Sequence, residues 1–206
     1  PAFVANPFAQ DGLGFDLLPE PSAGDLFYDI EGDPFVSGGL EYLHGLGWLD
    51  DGGRFAFEAV WAHDPAEERR ALERVIDEIV ARRERWPDMH VYHYASYERT
   101  ALGRLAARYG TREDELDELL RADVFVDLHA VVRQALVIGS PSYSLKKIEP
   151  LYMPPRTAEI TDAGSSIVEY ERWLQTGDPQ ILADIEAYNR DDVESTWRLR
   201  DWLEGH

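Results

Sequence analysis

Asp29-Ile30-Glu31 places two carboxylates two residues apart in a strand-like run from Leu26 to Glu31. Side chains alternate across a strand, so Asp29 and Glu31 share one face and Tyr28 and Ile30 the other. Two acids held side by side repel each other unless a positive charge lies between them. An oxygen-rich pair of this kind suits Mg²⁺ or Mn²⁺. The plainer reading is a strand end whose acids face water beside the Gly32-Asp33-Pro34 turn, where Asp33 is either a turn former or a partner for an outer water.

A third acid comes from the far end of the chain. At about 100° per residue, Ile181, Ile185, Tyr188, Asp192, Leu199 and Leu203 fall within roughly 60° of one another on the last helix. Asp192 therefore lies on a core-facing stripe, one turn beyond Tyr188, while Asp191 points away. A carboxylate on such a stripe must be paired with an arginine, hydrogen-bonded or bound to a metal. Leu182, Val193 and Trp197 widen the apolar surface of the same helix. A further segment, His93-Tyr94-Ala95-Ser96-Tyr97-Glu98, joins a strand end to a helix start, where partial positive charge favours Glu98. Taken alone, that segment is explained by Ser96 capping the helix.

Taken together, the acidic pair, the later acid and the Tyr-x-x-x-Asp helix resemble the DEDD superfamily of 3′–5′ exonucleases. Tyr188-Asn189-Arg190-Asp191-Asp192 matches the tyrosine subtype. His93 to Glu98 lines up with the second motif, usually His-Asn-Ala-x-Phe-Asp, with Tyr94, Tyr97 and Glu98 replacing Asn, Phe and Asp. Glu98 keeps the charge and adds a methylene. Most of the chain from Leu26 onward looks like the ribonuclease H-like, YprB-type domain of RecB-family nucleases. That resemblance is carried by Asp29-Ile-Glu-Gly-Asp-Pro34, His93-Tyr-Ala-Ser-Tyr-Glu98, Phe125-Val-Asp-Leu128, Tyr143-Ser-Leu-Lys-Lys147 and Tyr188-Asn-Arg-Asp-Asp192.

The resemblance implies a ribonuclease H-like mixed sheet flanked by helices, with Asp29 and Glu31 on its central strand. It implies that Asp29, Glu31, Glu98 and Asp192 hold two divalent cations, Mg²⁺ or Mn²⁺, and that Tyr188 orients the attacking water. His93, Tyr94 and Ser96 are then expected to contact a terminal nucleotide, Tyr94 by stacking on a base. Lys146 and Lys147, with Arg156 beyond them, are expected phosphate contacts; the alternative is a solvated loop. Asp127 is explained by helix capping and stays outside the metal set. The implied substrate is a single-stranded DNA or RNA end, and the implied neighbours are RecB-type nuclease and helicase domains of a parent protein. The competing readings are a catalytically weak nucleic-acid-binding or docking module, and a phosphoesterase acting on small nucleotides.

These residues need elements to position them. Residues 1–24 carry scattered Pro and Gly without periodicity and read as an arm or linker, with Phe3, Phe8 and Phe15 as anchors. Residues 25–206 form the expected domain. It opens with three strands, Leu26 to Glu31 and a hairpin of Glu41–Leu49 and Arg54–Trp61 around Asp50-Asp51-Gly52-Gly53. A helix starts at Asp64-Pro65-Ala66-Glu67 and ends at Pro87. Met89–Tyr94 follows as a strand, then helices to Gly110 and from Thr111, the apolar run Val124–Val126, and a helix from Asp127 through Leu136. Gly139–Pro155 reads as loop-rich, and Ser166–Leu174 and Pro179–Leu203 as the last helices. Strands in front with helices behind indicate an α/β fold with a mixed sheet.

Composition sets the limits. The chain has 206 residues, 44% hydrophobic and 29% charged, values of an ordinary globular domain. No run of eighteen apolar residues exists, so no membrane partner is expected. The absence of cysteine excludes disulfides, zinc–thiolate sites and a cysteine nucleophile, and fits a cytoplasmic setting. A net charge of −20 argues against a basic-patch binder but permits an acidic site neutralised by divalent metals. The first residue, Pro1, suggests a module excised from a larger protein.

Overall fold

A computed structural model describes residues 2–6, 10–154 and 163–205. Phe8 and Arg156 lie outside the described residues. The N-terminal arm begins with β1 (Phe3–Ala5), and a 3₁₀ turn at Gly14–Leu17 follows it. The main sheet starts with β2 (Leu26–Asp33), β3 (Leu40–Leu49) and β4 (Phe55–Trp61), an antiparallel meander. Helix α1 (Pro65–Arg85) starts where expected: the Asp64 carboxylate accepts from the backbone N–H of Ala66 and Glu67, and Pro65 sits at the first helical position. Next come β5 (Val91–His93), α2 (Tyr97–Tyr109), α3 (Glu113–Arg121) and β6 (Phe125–Asp127).

β5 pairs with β2 in parallel and β6 with β5 in parallel, giving the order β4-β3-β2-β5-β6. β2 is therefore central, as the resemblance implies, and β5 and β6 join the sheet from among the helices. The fold is a mixed α/β sheet flanked by helices.

The other elements are α4 (Leu128–Ala135), β7 (Leu136–Ile138), α5 (Leu145–Ile148), α6 (Ala163–Thr176) and α7 (Pro179–Glu204). The expected helix through Leu136 ends one residue earlier, because Leu136–Ile138 leaves it as a strand. That strand pairs with β1 in the register Phe3↔Ile138 and Ala5↔Leu136. Only pairing with a segment some 130 residues distant makes Leu136–Ile138 extended, and local patterning does not carry that partner. The edge of Phe3 packs on Trp202 at 4.9 Å, and Phe15 packs on the same core cluster, so both serve as anchors.

The alternation of β2 divides the core. Leu26, Tyr28 and Ile30 pack with Leu72, Val75, Ile76 and Ile79 of α1 and Leu102 and Leu105 of α2. Phe27 packs on the opposite face with Val131 and Val132 of α4 and Val193, Trp197 and Leu199 of α7. Asp29 and Glu31 continue that second face and are thereby aimed at α7.

Candidate active site

Helix α7 starts at Asp178, whose carboxylate accepts from the Gln180 N–H, and runs across the sheet face that Asp29 and Glu31 occupy. Every residue of the expected stripe is buried: Ile181, Ile185, Tyr188, Asp192, Leu199 and Leu203. Among the described residues, Asp29, Glu31 and Asp192 each bring one carboxylate oxygen within 4.8 Å of the others. Glu31 is 5% exposed and Asp192 8%, so bulk water screens little of this charge.

Burial first, then the charges of Asp192, Glu31 and Glu98, push the Asp29 carboxyl well above the usual carboxylate range. Glu31 is pushed up to about 8, again by burial first and Asp192 second. Two buried acids and a half-buried one facing one another are costly unless a cation joins them. The all-oxygen donor set and its excess negative charge fit a hard divalent ion such as Mg²⁺ or Mn²⁺.

Two polar residues that the sequence did not single out hold the acids in place. The Asn189 carboxamide donates to Asp29 Oδ2 at 2.7 Å. It fits there because position 45 is glycine: a Cβ on Gly45 would stand 1.9 Å from Asn189 Oδ1. Ser166 of α6 donates to Glu31 Oε2 at 2.9 Å. Its single proton is then used, so the Tyr42 hydroxyl, 2.6 Å away, donates to Ser166 Oγ. Asn189 lies inside the Tyr188–Asp192 segment, whereas no sequence signal marks Ser166: a buried serine is recognised only by its neighbour.

Tyr188 lies beside the three acids. Its hydroxyl is pushed far above its ordinary value by burial, then by Asp192, Glu31 and Asp29. Lys146 Nζ donates to the Tyr188 oxygen and stands 4.1 Å from the ring centroid. Its charge opposes the upward shifts of Asp29 and Glu31. Lys147, one residue on, is exposed.

The second motif is arranged differently from the expectation. Glu98 is outside the 4.8 Å group, buried, with Oε2 at 3.4 Å from His93 Nδ1. It still senses the cluster, since its charge raises Asp29. His93 was expected to touch a nucleotide, but it is fully buried, edge-on to Phe125, with Nδ1 2.6 Å from the Ala95 carbonyl. Its position suits holding Glu98. Tyr94 is half-buried; its hydroxyl donates to the Tyr143 carbonyl and its ring meets His129 edge-on. Ser96 is exposed at the start of α2 and makes no side-chain cap. Asp127 accepts from the N–H of His129 and Ala130, as capping predicts, and also from Ala95, which it holds at a left-handed φ of 72°. Asp33 is buried and accepts from the Phe35 N–H, the turn role.

A groove of about 630 Å³ adjoins this end of the molecule, lined by Tyr94, His129, Arg133, Tyr143, Ser144 and Leu145 among others. It ends one residue before Lys146. No helix among the described residues is long and apolar enough to cross a membrane.

Neither the curated proteins nor the solved structures include a match to this chain. A family model described as RNase_H superfamily, RNase_H_2, matches residues 26–204, which span β2, the cluster and α7. Acids on a central strand facing an acid on the last helix, within that matched length, place the chain in the RNase H superfamily.

Proposed function

We propose that this domain is a divalent-metal-dependent 3′–5′ exonuclease of the DEDD tyrosine type. It hydrolyses phosphodiester bonds at a single-stranded DNA or RNA end, within a larger helicase–nuclease protein that also carries a RecB-type nuclease domain. The observation that carries this reading is the convergence of Asp29, Glu31 and Asp192, drawn from 163 residues apart, in a chain of the RNase H superfamily. Asp29, Glu31 and Asp192 would hold the metal, and Glu98, steadied by His93, completes the acidic wall. When bound, two Mg²⁺ or Mn²⁺ ions supply an acidified water and charge stabilisation for the leaving oxygen.

The chain's own residues do the rest. Tyr188 keeps its proton at neutral pH, so it orients a water by hydrogen bonding and does not act as a base. Asn189 and the Tyr42–Ser166 pair fix the Asp29 and Glu31 carboxylates. The strand end enters along the groove beside Tyr94 and Arg133, and exposed Lys147 meets its phosphates. With a net charge of −20, the domain grips nucleic acid weakly until metal neutralises the cluster.

The test is a Mn²⁺-dependent assay on single-stranded oligonucleotides labelled at the 3′ or the 5′ end, with Asp29→Asn as control. Successive loss of 3′ nucleotides, abolished by the substitution, is the expected result. No cleavage with any divalent ion, or equal activity in Asp29→Asn, sinks the reading. The second reading, a binding or docking module, is favoured by one observation: Glu98 stands with His93, outside the 4.8 Å group. Metal binding without turnover selects it.

A further inference from the structure

Strand β4 ends the main sheet: in the order β4-β3-β2-β5-β6, only β3 pairs with it among the described residues. An edge strand presents open N–H and C=O groups to any strand that can lie beside it. Two bonds fix which residues present them. The Asp50 N–H donates to the Arg54 carbonyl and the Ala62 N–H to the Tyr42 carbonyl, each at 2.9 Å. Bonded and non-bonded pairs alternate along an antiparallel ladder. With the register Leu43↔Trp61 to Leu49↔Phe55, the residues bonded to β3 are therefore Ala56, Glu58 and Val60. The backbone groups of Phe55, Phe57, Ala59 and Trp61 point outward.

This edge carries none of the usual guards. Phe55–Trp61 holds no Pro, Gly or Lys, and its pairing with β3 runs without a register shift. Its one charge, Glu58, is paired with Arg74 of α1. Two grooves flank it. One of about 440 Å³ lies toward α1, lined by Val60, Trp61, Ala71 and Arg74 among others. One of about 500 Å³ lies toward α7, lined by Phe55, Phe57, Ala183 and Arg190 among others. Neither groove is lined by a residue of β3, so both open on the outer side of β4. An added strand would meet a backbone ladder in the middle and room for its alternating side chains on either face.

The strand is complementary to its own copy. Antiparallel pairing centred on Glu58 sets Phe55 against Trp61, Phe57 against the small Ala59, and Ala56 against Val60. That register uses every outward N–H and C=O of the four residues. At its centre each Glu58 carboxylate brings its own Arg74 guanidinium, so charges of both signs alternate around the axis instead of two bare acids meeting.

We propose that β4 is a self-pairing interface: two copies of this chain associate antiparallel along Phe55–Trp61, about a two-fold axis at Glu58, and join their sheets into one. The acidic cluster on β2 lies two strands inward, so the proposal goes beyond the nuclease reading and does not rest on it.

The test is sedimentation velocity on the intact 206-residue chain across micromolar concentrations without metal. Wild type is expected to sediment as a dimer. Ala59→Pro removes an outward N–H and leaves the bonds of β4 to β3, and is expected to weaken association about a hundredfold or more. The half-exposed Glu58–Arg74 pair supplies a second test in case the proline disturbs folding. Glu58→Lys leaves only cations at the axis and Arg74→Glu only anions. Each is expected to weaken self-association about tenfold or more, and an equimolar mixture of the two to recover the dimer. Wild type that stays monomeric overturns the proposal. So does a dimer that persists unchanged in folded Ala59→Pro or in either charge variant, or a mixture that recovers no dimer. None of these outcomes bears on cleavage, so the two proposals fail separately.

Discussion

Strand β2 and helix α7 meet at two buried charged sites that are built on opposite terms. At the start of β2, Asp25 receives Arg200 Nη1 at 2.6 Å and the backbone N–H of Ser22 and His90. Both residues are 4% exposed, and the guanidinium also covers the rings of Phe27 and Tyr92. Four residues further along β2, Asp29 and Glu31 face Asp192 across the same two elements, one carboxylate oxygen of each within 4.8 Å of the others. A buried acid that is paired and hydrogen-bonded supports the fold; buried acids gathered against one another weaken it until a cation arrives. The same two elements thus carry one site that supports the fold and another kept for chemistry at the fold's expense.

Predictions follow from trying to convert one end into the other. The largest effect is expected from Asp29→Asn, which removes a charge from the acidic end. Cleavage should fall by about 10⁴-fold or more, some 5 kcal/mol of barrier, in single-turnover assays with saturating Mn²⁺. At the paired end, Arg200→Ala leaves Asp25 buried and without its cation. Urea unfolding should show a loss of about 3–5 kcal/mol, while Mg²⁺ affinity of the folded fraction stays at the wild-type value.

Glu31→Gln sharpens the comparison, since it should stabilise the metal-free chain while destroying the site. Glu31 is raised from an ordinary 4.5 to about 8, so between those values the folded state binds more protons than the unfolded one. Stability attributable to Glu31 is therefore present below about 4.5 and lost as pH rises toward 8. At alkaline pH the Gln variant should be more stable by about 1–3 kcal/mol, several degrees in Tm, by thermal melts without metal. Added Mg²⁺ should raise the Tm of wild type and not of the variant. The smallest effect is expected from Lys147→Ala, which touches neither end. It should weaken binding of a single-stranded oligonucleotide modestly and flatten the log K against log salt slope by about 0.7.

Much of this architecture is legible in local pattern. The alternation of Leu26–Glu31 sorts Asp29 and Glu31 from Tyr28 and Ile30 before any packing is known, because strand side chains alternate regardless of context. The stripe from Ile181 to Leu203 likewise turns Asp192 inward, and capping chemistry at Asp64, Asp127 and Asp178 marks three helix starts. Patterns of this kind report which way a residue faces.

They do not report what it meets. The β1–β7 pairing, Ser166 against Glu31, Asn189 over Gly45 and Lys146 on Tyr188 each join segments from 42 to 144 residues apart. His93 shows the same boundary from the other side: its motif marked it for a substrate, and packing against Phe125 buried it beside Glu98. From sequence alone came the facing of each element, the three acids and the resemblance that joins them. Tertiary structure alone decided which polar groups hold those acids, because such contacts depend on distances between elements, and those are set by core packing rather than by any repeat along the chain.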